Sequence, residues 1–194
     1  RRRENVDHPS DLLDVVIMCT GREHTADELA ELFLSYIFAV AGSLGFALGW
    51  AVYMFGTRSR NDTSDIHADW IVREALRLWP VAWFLSRQST QKRVVSGESI
   101  TTEDSVNVCP YMVHRHPNFW SEPDAFRPER WAEPASQKST AYIPFGFGRH
   151  RCVAASLSLD LVSRMFHFLV ADHELEIVSG DGKPQVGPAL APPR

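Results

Sequence analysis

From Leu32 to Phe55 the chain carries no charged side chain. A run this long must form either a helix buried through the middle of a folded protein or a helix that crosses a membrane. Gly45-Phe46-Ala47-Leu48-Gly49 within it matches the small-residue packing motif of membrane helices, so hydropathy alone leaves both readings open. The start of the helix is sharper. Thr25-Ala26-Asp27-Glu28 is a capping box, in which the Thr25 and Glu28 side chains satisfy each other's backbone N–H groups. The pattern predicts one helix from there through Phe55, the longest element of the chain.

The rest of the chain divides into shorter pieces. Asp11 to Cys19 is an apolar helical fragment, and Gly21 to His24 is a connector. After a polar connector from Thr57 to Asp65, the apolar residues Trp70, Ile71, Ala75 and Leu78 follow helical spacing until Pro80 ends them. From Val81 to Val108, β-branched runs broken by Gly97 and Ser-Thr clusters predict short strands. Pro110 to Ser139 is an irregular meander. A helix from about Val153 to Val170 follows, with Val153, Leu157, Leu161 and Phe168 on one face, and the tail from Ser179 reads as turns with at most an edge hairpin.

Composition narrows the class. A net charge of −4 argues against a nucleic-acid surface, and 44% hydrophobic content is ordinary for a packed domain. Cys19, Cys109 and Cys152 are odd in number, widely spaced and without a Cys-x-x-Cys pair, which speaks against a disulfide framework or a zinc site. His114 and His116 straddle Arg115, but no carboxylate or cysteine completes a ligand set there, so capping or solvated histidines are expected. Arg1-Arg2-Arg3 leads into polar residues and not into the apolar core of a signal peptide, so a cytoplasmic protein is expected.

Chemistry concentrates in Phe145-Gly146-Phe147-Gly148-Arg149-His150-Arg151-Cys152-Val153-Ala154. One cysteine there follows a glycine- and arginine-rich turn and opens an apolar-periodic helix. The positive end of the helix and the charges of Arg149 and Arg151 favour a thiolate, while Gly146 and Gly148 allow positive φ and close approach to a flat ligand. A buried, inert small hydrophobe is the plain alternative for Cys152.

This segment resembles the haem-binding loop of cytochromes P-450, with Phe145, Gly148, His150, Cys152 and Ala154 at its constrained positions. Two further stretches are similar to family motifs in the same order. Glu74-Ala75-Leu76-Arg77 looks like the Glu-x-x-Arg of helix K, whose plain reading is a surface ion pair. Phe126-Arg127-Pro128-Glu129-Arg130-Trp131 resembles the Pro-Glu-Arg-Phe segment, with Trp131 in the aromatic place. The resemblance implies a buried structural triad of Glu74, Arg77 and Arg130, and the physics fits, because a carboxylate accepts planar contacts from guanidinium groups.

The fold so implied is mainly α with a small β component, the C-terminal part of the cytochrome P-450 fold. Residues 1–194 would form a single partial domain, with the N-terminal half of the family's fold outside the sequence. Cys152 would be the axial ligand of a haem b iron, His150 and Arg87 would bind the propionates, and Phe145, Gly146, Gly148 and Ala154 would shape the cofactor site. The apolar run would be the family's long buried helix. In it, Ala41-Gly42-Ser43 resembles the start of the oxygen-activation segment, which usually continues with an acid and a threonine that relay protons; here Leu44 and Gly45 follow, so that segment is degenerate.

For the whole protein the resemblance implies monooxygenase-type oxidation of a small apolar organic substrate, with electrons from a ferredoxin or flavoprotein reductase docking near Arg149 and Arg151. Three rivals stand beside it: a haem protein that carries out a rearrangement or a peroxide-driven reaction, an inactive truncated remnant, and a membrane-anchored non-haem protein. Substrate, regiochemistry and oligomeric state are not legible in these residues.

Overall fold

The computed structural model describes residues 10, 11, 14, 15, 18, 25–58, 67–171, 173, 175–178 and 182–192. Cys19, the Gly21–His24 connector and most of the helix expected over Asp11–Cys19 lie outside the described residues, as does most of the connector after Thr57. Two compact units are present, one ending at Gly42 and one beginning at Ser43.

Helix α1 (Ala26–Gly56) is the longest element, at 31 residues. Both bonds of its capping box form: the Thr25 N–H donates to Glu28 Oε2 at 2.9 Å, and the Glu28 N–H donates to Thr25 Oγ1 at 3.2 Å. By length and composition α1 is one helix able to cross a membrane. The expectation of burial along the whole apolar run needs correction, because only Ala47, Trp50 and Ala51 are buried, whereas Phe33, Leu34, Ile37 and Phe38 are exposed. Among the described residues, the core gathers on this helix from Leu44 onward. There Trp50 donates its indole N–H to the Leu190 carbonyl at 3.0 Å and stacks on Trp79 with ring centroids 4.3 Å apart. Gly49, half of the small-residue motif, serves this same packing: a Cβ on it would stand 2.8 Å from Pro192 Cγ.

Helix α2 (Ala68–Leu78) packs against α5 (Ala155–Ala171), and the two enclose one core with the end of α1. Ile71, Val72, Ala75 and Leu76 of α2 meet Val162 and Phe166 of α5 there. The face expected for the last helix is corrected. Val153, Leu157, Leu161 and Phe168 are exposed, and the buried stripe is Ala155, Val162 and Phe166. This helix is apolar along two opposite stripes, both of which satisfy helical spacing, so periodicity could not choose between them.

Between α2 and the cysteine loop lie two antiparallel ribbons, one nested in the other. Strand β1 (Leu85–Gln88) pairs with β4 (Ser105–Val108), placing Leu85 opposite Val108. Inside it, β2 (Arg93–Val95) pairs with β3 (Glu98–Ile100) across Ser96 and Gly97. Those two residues have φ of 53° and 87°, the turn geometry that suits the strand twist of a two-residue hairpin. The meander holds two short helices, α3 (Pro110–Val113) and α4 (Pro134–Gln137), and a 3-10 turn over Pro128–Ala132. A small tail ribbon pairs β5 (Gln185–Val186) with β6 (Leu190–Ala191).

Candidate haem-thiolate site

Glu74 is completely buried on α2, at 0% exposure, as is Arg77 one turn on. Its carboxylate is saturated with donors. Oε1 accepts from Arg77 Nη2 at 2.8 Å, from Arg130 Nε at 3.0 Å and from the Arg127 backbone N–H at 3.0 Å. Oε2 accepts from Arg77 Nε at 3.0 Å and from the Trp131 indole N–H at 3.0 Å. The guanidinium groups are satisfied in turn. Arg77 donates to the carbonyls of His114, Pro123 and Ala125, and Arg130 to those of Ser121 and Glu122. A buried ion pair persists only when its remaining donors and acceptors are met, and here a single helix is tied by charge to the whole meander.

Two members of this cluster had no signal beyond the motif. The Arg127 backbone N–H contributes through chain direction alone. Trp131 supplies a donor that the family's usual phenylalanine lacks, and a buried indole N–H needs a partner. Trp131→Phe keeps the ring in place but removes one bond to a charged acceptor, so it should lower stability by about 1.5–3 kcal/mol, read as a shift of the urea midpoint.

The cysteine loop follows directly. Gly146 has φ 72° and Gly148 has φ 65°, the left-handed conformation that glycine adopts without a steric penalty. The Gly146 N–H donates to the Ile143 carbonyl at 3.0 Å, and the Cys152 N–H donates back to the Phe145 carbonyl at 2.9 Å, closing the loop on itself. Helix α5 begins at Ala155, three residues beyond the cysteine, so Cys152 precedes the helix and does not open it. Its carbonyl accepts the Ala155 N–H at 3.3 Å, and Ala154, half-buried, accepts the first full helical bond from Ser158 at 2.7 Å. Cys152 is exposed, as are Arg149, His150 and Arg151.

Cys152 and His150 line a cavity of about 280 Å³. Ser43, Leu44 and Ala47 of α1 form one wall, and Val81, Ala82 and Leu85 another. Phe145 and Gly146 of the loop, with Val162 of α5, complete a lining that is mostly apolar. Of the degenerate segment, Ser43 and Leu44 reach this cavity; Ala41 and Gly42 are exposed and fall in the first unit, and Gly45 has open space where a side chain would stand. Arg87 is exposed on β1, where strand alternation puts it on the face of Leu85, and its Nη1 donates to the Ser86 carbonyl at 2.8 Å. Pro144, Phe145 and Gly146 also wall a second cavity of about 250 Å³ that includes Arg73, Tyr142, Arg151 and Ser156, which makes the loop a thin partition.

His114 differs in part from expectation. It is fully buried and not solvated, yet it is the C-cap residue of α3, its backbone N–H donating to the Pro110 carbonyl at 2.8 Å, and exposed His116 accepts the Asn118 N–H at 3.2 Å, as a capping residue does. The His114 Nδ1 lies 2.9 Å from the Arg77 carbonyl, and its Nε2 accepts the Ile143 N–H at 2.9 Å. Burial first, with the Arg77 and Arg115 charges adding to it, pushes its pKa down to about 3, while the Arg77 carbonyl opposes this. The imidazole is therefore neutral in the fold and has its ordinary value of 6.5 when unfolded. Protonation favours the unfolded chain, so this group's contribution is complete above pH 6.5 and is lost as pH falls toward about 3. Urea midpoints measured against pH should fall across that window, and His114→Phe should flatten the decline. Among the described residues no cluster of three or more His, Cys, Asp or Glu side chains is placed to hold a metal ion.

The loop sets one exposed cysteine beside a mostly apolar cavity, on a helix-rich frame locked by a buried carboxylate. Proteins of known kind share this plan. The cytochrome P-450 family model matches residues 66–189. Cyclooctatin synthase of Streptomyces melanosporofaciens is 27% identical over 158 residues, covering 69% of this chain and 34% of that protein. Sterol 14alpha-demethylase of Mycolicibacterium vanbaalenii is 26% identical over 196 residues, covering 86% and 43%. The 3,9-dihydroxypterocarpan 6A-monooxygenase of Glycine max is 34% identical over 119 residues, covering 58% and 23%. A solved cytochrome P-450 structure superposes with a TM-score of 0.81 at 21% identity, over 96% of this chain and 49% of that one. Another, from Thermus thermophillus, gives 0.67 at 24% identity, over 78% and 42%.

The chain belongs to the cytochrome P-450 family. It spans less than half the length of these relatives. Membership implies a haem cofactor, and the residues present fit one: a Cβ built on Gly148 meets nothing within 4 Å, Cys152 is accessible, and the adjoining cavity is apolar.

Proposed function

We propose that this chain is the haem-thiolate part of a monooxygenase-type oxidoreductase acting on a small apolar organic molecule. The observation that carries the reading is the placement of Cys152 at the wall of the apolar cavity, on a loop turned by two left-handed glycines. Haem b held there would supply dioxygen activation, using electrons from a ferredoxin or flavoprotein reductase.

The chain's own residues then divide the work. Cys152, exposed beside Arg149 and Arg151, would hold the haem iron through its sulfur. His150, also at the cavity wall, would bind one propionate, and Arg87, on the β1 face that carries Leu85, would bind the other. Leu44, Ala47, Val81 and Leu85 exclude water and select an apolar substrate. Glu74, Arg77 and Arg130 hold the meander behind the loop and take no part in turnover. Arg149 and Arg151 offer positive charge to an acidic electron donor. We place the protein in the cytoplasm, with the exposed apolar part of α1 covered by protein and not by lipid.

A second reading, peroxide-driven oxidation or rearrangement without external electrons, is favoured by one feature. Leu44 faces the cavity and Gly45 carries no side chain, so neither holds or moves a proton where the family usually keeps an acid and an alcohol. Turnover of an apolar substrate fed by NADPH and a reductase, compared with hydrogen peroxide alone, separates the two. The monooxygenase reading expects product from the first supply; product only with peroxide favours the second, and product with neither overturns both.

A further inference from the structure

We propose that His114 is a positioning residue for the cysteine loop, its ring fixing Ile143 against the end of α2 and so setting where Cys152 stands at the cavity wall. This rests on the reading of Cys152 as the haem ligand.

The geometry is a continuous ladder. The Arg77 carbonyl, at the end of α2, can only accept, so His114 Nδ1 carries the proton. The Ile143 N–H can only donate, so Nε2 is bare and accepts. One tautomer satisfies both neighbours. The contact with α2 is reciprocal, because Arg77 Nη1 also donates to the His114 carbonyl at 2.7 Å. From Ile143 the ladder runs on. Its carbonyl accepts the Gly146 N–H, and Phe145, inside that turn, accepts the Cys152 N–H. His114 therefore links the Glu74 cluster to the cysteine through backbone groups alone on the loop side.

The surroundings keep the ring in this state. Arg77 faces it from α2 and Arg115 adjoins it in sequence. The ring of Tyr142 lies 5.7 Å from the imidazole and that of Trp120 6.4 Å. Among the described residues no carboxylate contacts the imidazole, since Glu74 is engaged by Arg77, Arg130 and Trp131. An imidazolium would turn a second N–H toward the Ile143 N–H, setting two donors against each other.

The test uses the full chain with two replacements that each restore one half of the bridge. Glutamine carries its terminal amide near the position of Nε2, and asparagine near that of Nδ1. His114→Gln should keep the Ile143 bond and His114→Asn should lose it, although both are amides of similar polarity. In the haem-free chain, amide hydrogen exchange at Ile143 and Gly146 should quicken at least tenfold in His114→Asn and much less in His114→Gln. In the haem-loaded chain, the reduced carbon-monoxide complex of His114→Asn should lose most of its red-displaced Soret band to an unshifted one, with His114→Gln restoring it. Phe166→Leu, a core change on α5, should keep the band at equal loss of stability. Equal bands in both amide variants and the wild type would overturn the proposal, as would exchange at Ile143 that ignores the substitution. A wild type lacking the displaced band would refute the ligand assignment instead, and the exchange measurement would then decide the brace by itself.

Discussion

Glu74→Ala is expected to unfold the region around the cysteine loop and release haem, not merely to slow turnover. The alanine would strand Arg77 and Arg130 in a site where both are buried, and would orphan the Arg127 and Trp131 N–H groups in the same step. Removing one partner of a buried ion pair costs about 3–5 kcal/mol. That is a large share of the roughly 5–15 kcal/mol by which a domain is stable. Glu74→Gln should fall between, since it keeps the shape and one acceptor oxygen but loses the charge. Circular dichroism with urea titration reads the loss, and absorbance after gel filtration reads retained haem. A Glu74→Ala chain that folds stably and stays haem-loaded would show that the cluster is not what holds the loop.

Cys152→Ser should have the opposite profile. The hydroxyl is smaller and remains neutral at ordinary pH, so the iron would lose its anionic ligand. Cys152 is exposed, and its fixed contacts are backbone ones, the N–H to Phe145 and the carbonyl to Ala155, which serine keeps. Helix content should therefore stay the same, and the stability read from urea titration should change by only about a few tenths of a kcal/mol, as exposed substitutions usually do. The red-displaced band of the reduced carbon-monoxide complex should vanish. Persistence of that band in Cys152→Ser would move the ligand elsewhere. Cys109, half-buried ahead of α3, is the other cysteine among the described residues that would then need testing.

What the sequence reveals and conceals follows from where each signal resides. The capping box at Thr25 and Glu28 is a local pattern with local partners, and both of its hydrogen bonds form. Glu74 and Arg77 share a helix face by spacing alone, but their burial and the arrival of Arg130 depend on contacts more than fifty positions along the chain. Motif order supplied that link, and propensity could not. The opposite stripes of α5 are equally apolar, so only the packing of α2 decides that Val162 and Phe166 face inward. His114 gives no sequence signal as a bridge, because its two partners are backbone groups at Arg77 and Ile143, brought together only by the meander. Gly49 looked like a membrane-helix feature and instead receives Pro192 of the same chain.

The absorbance spectrum of the haem-reconstituted, reduced chain under carbon monoxide tests most directly whether Cys152 binds iron. A Soret band displaced far to the red is the predicted result, since only a thiolate opposite the gas ligand produces it. A band at the ordinary position of a histidine- or water-ligated haem, or no haem uptake at all, would contradict the assignment.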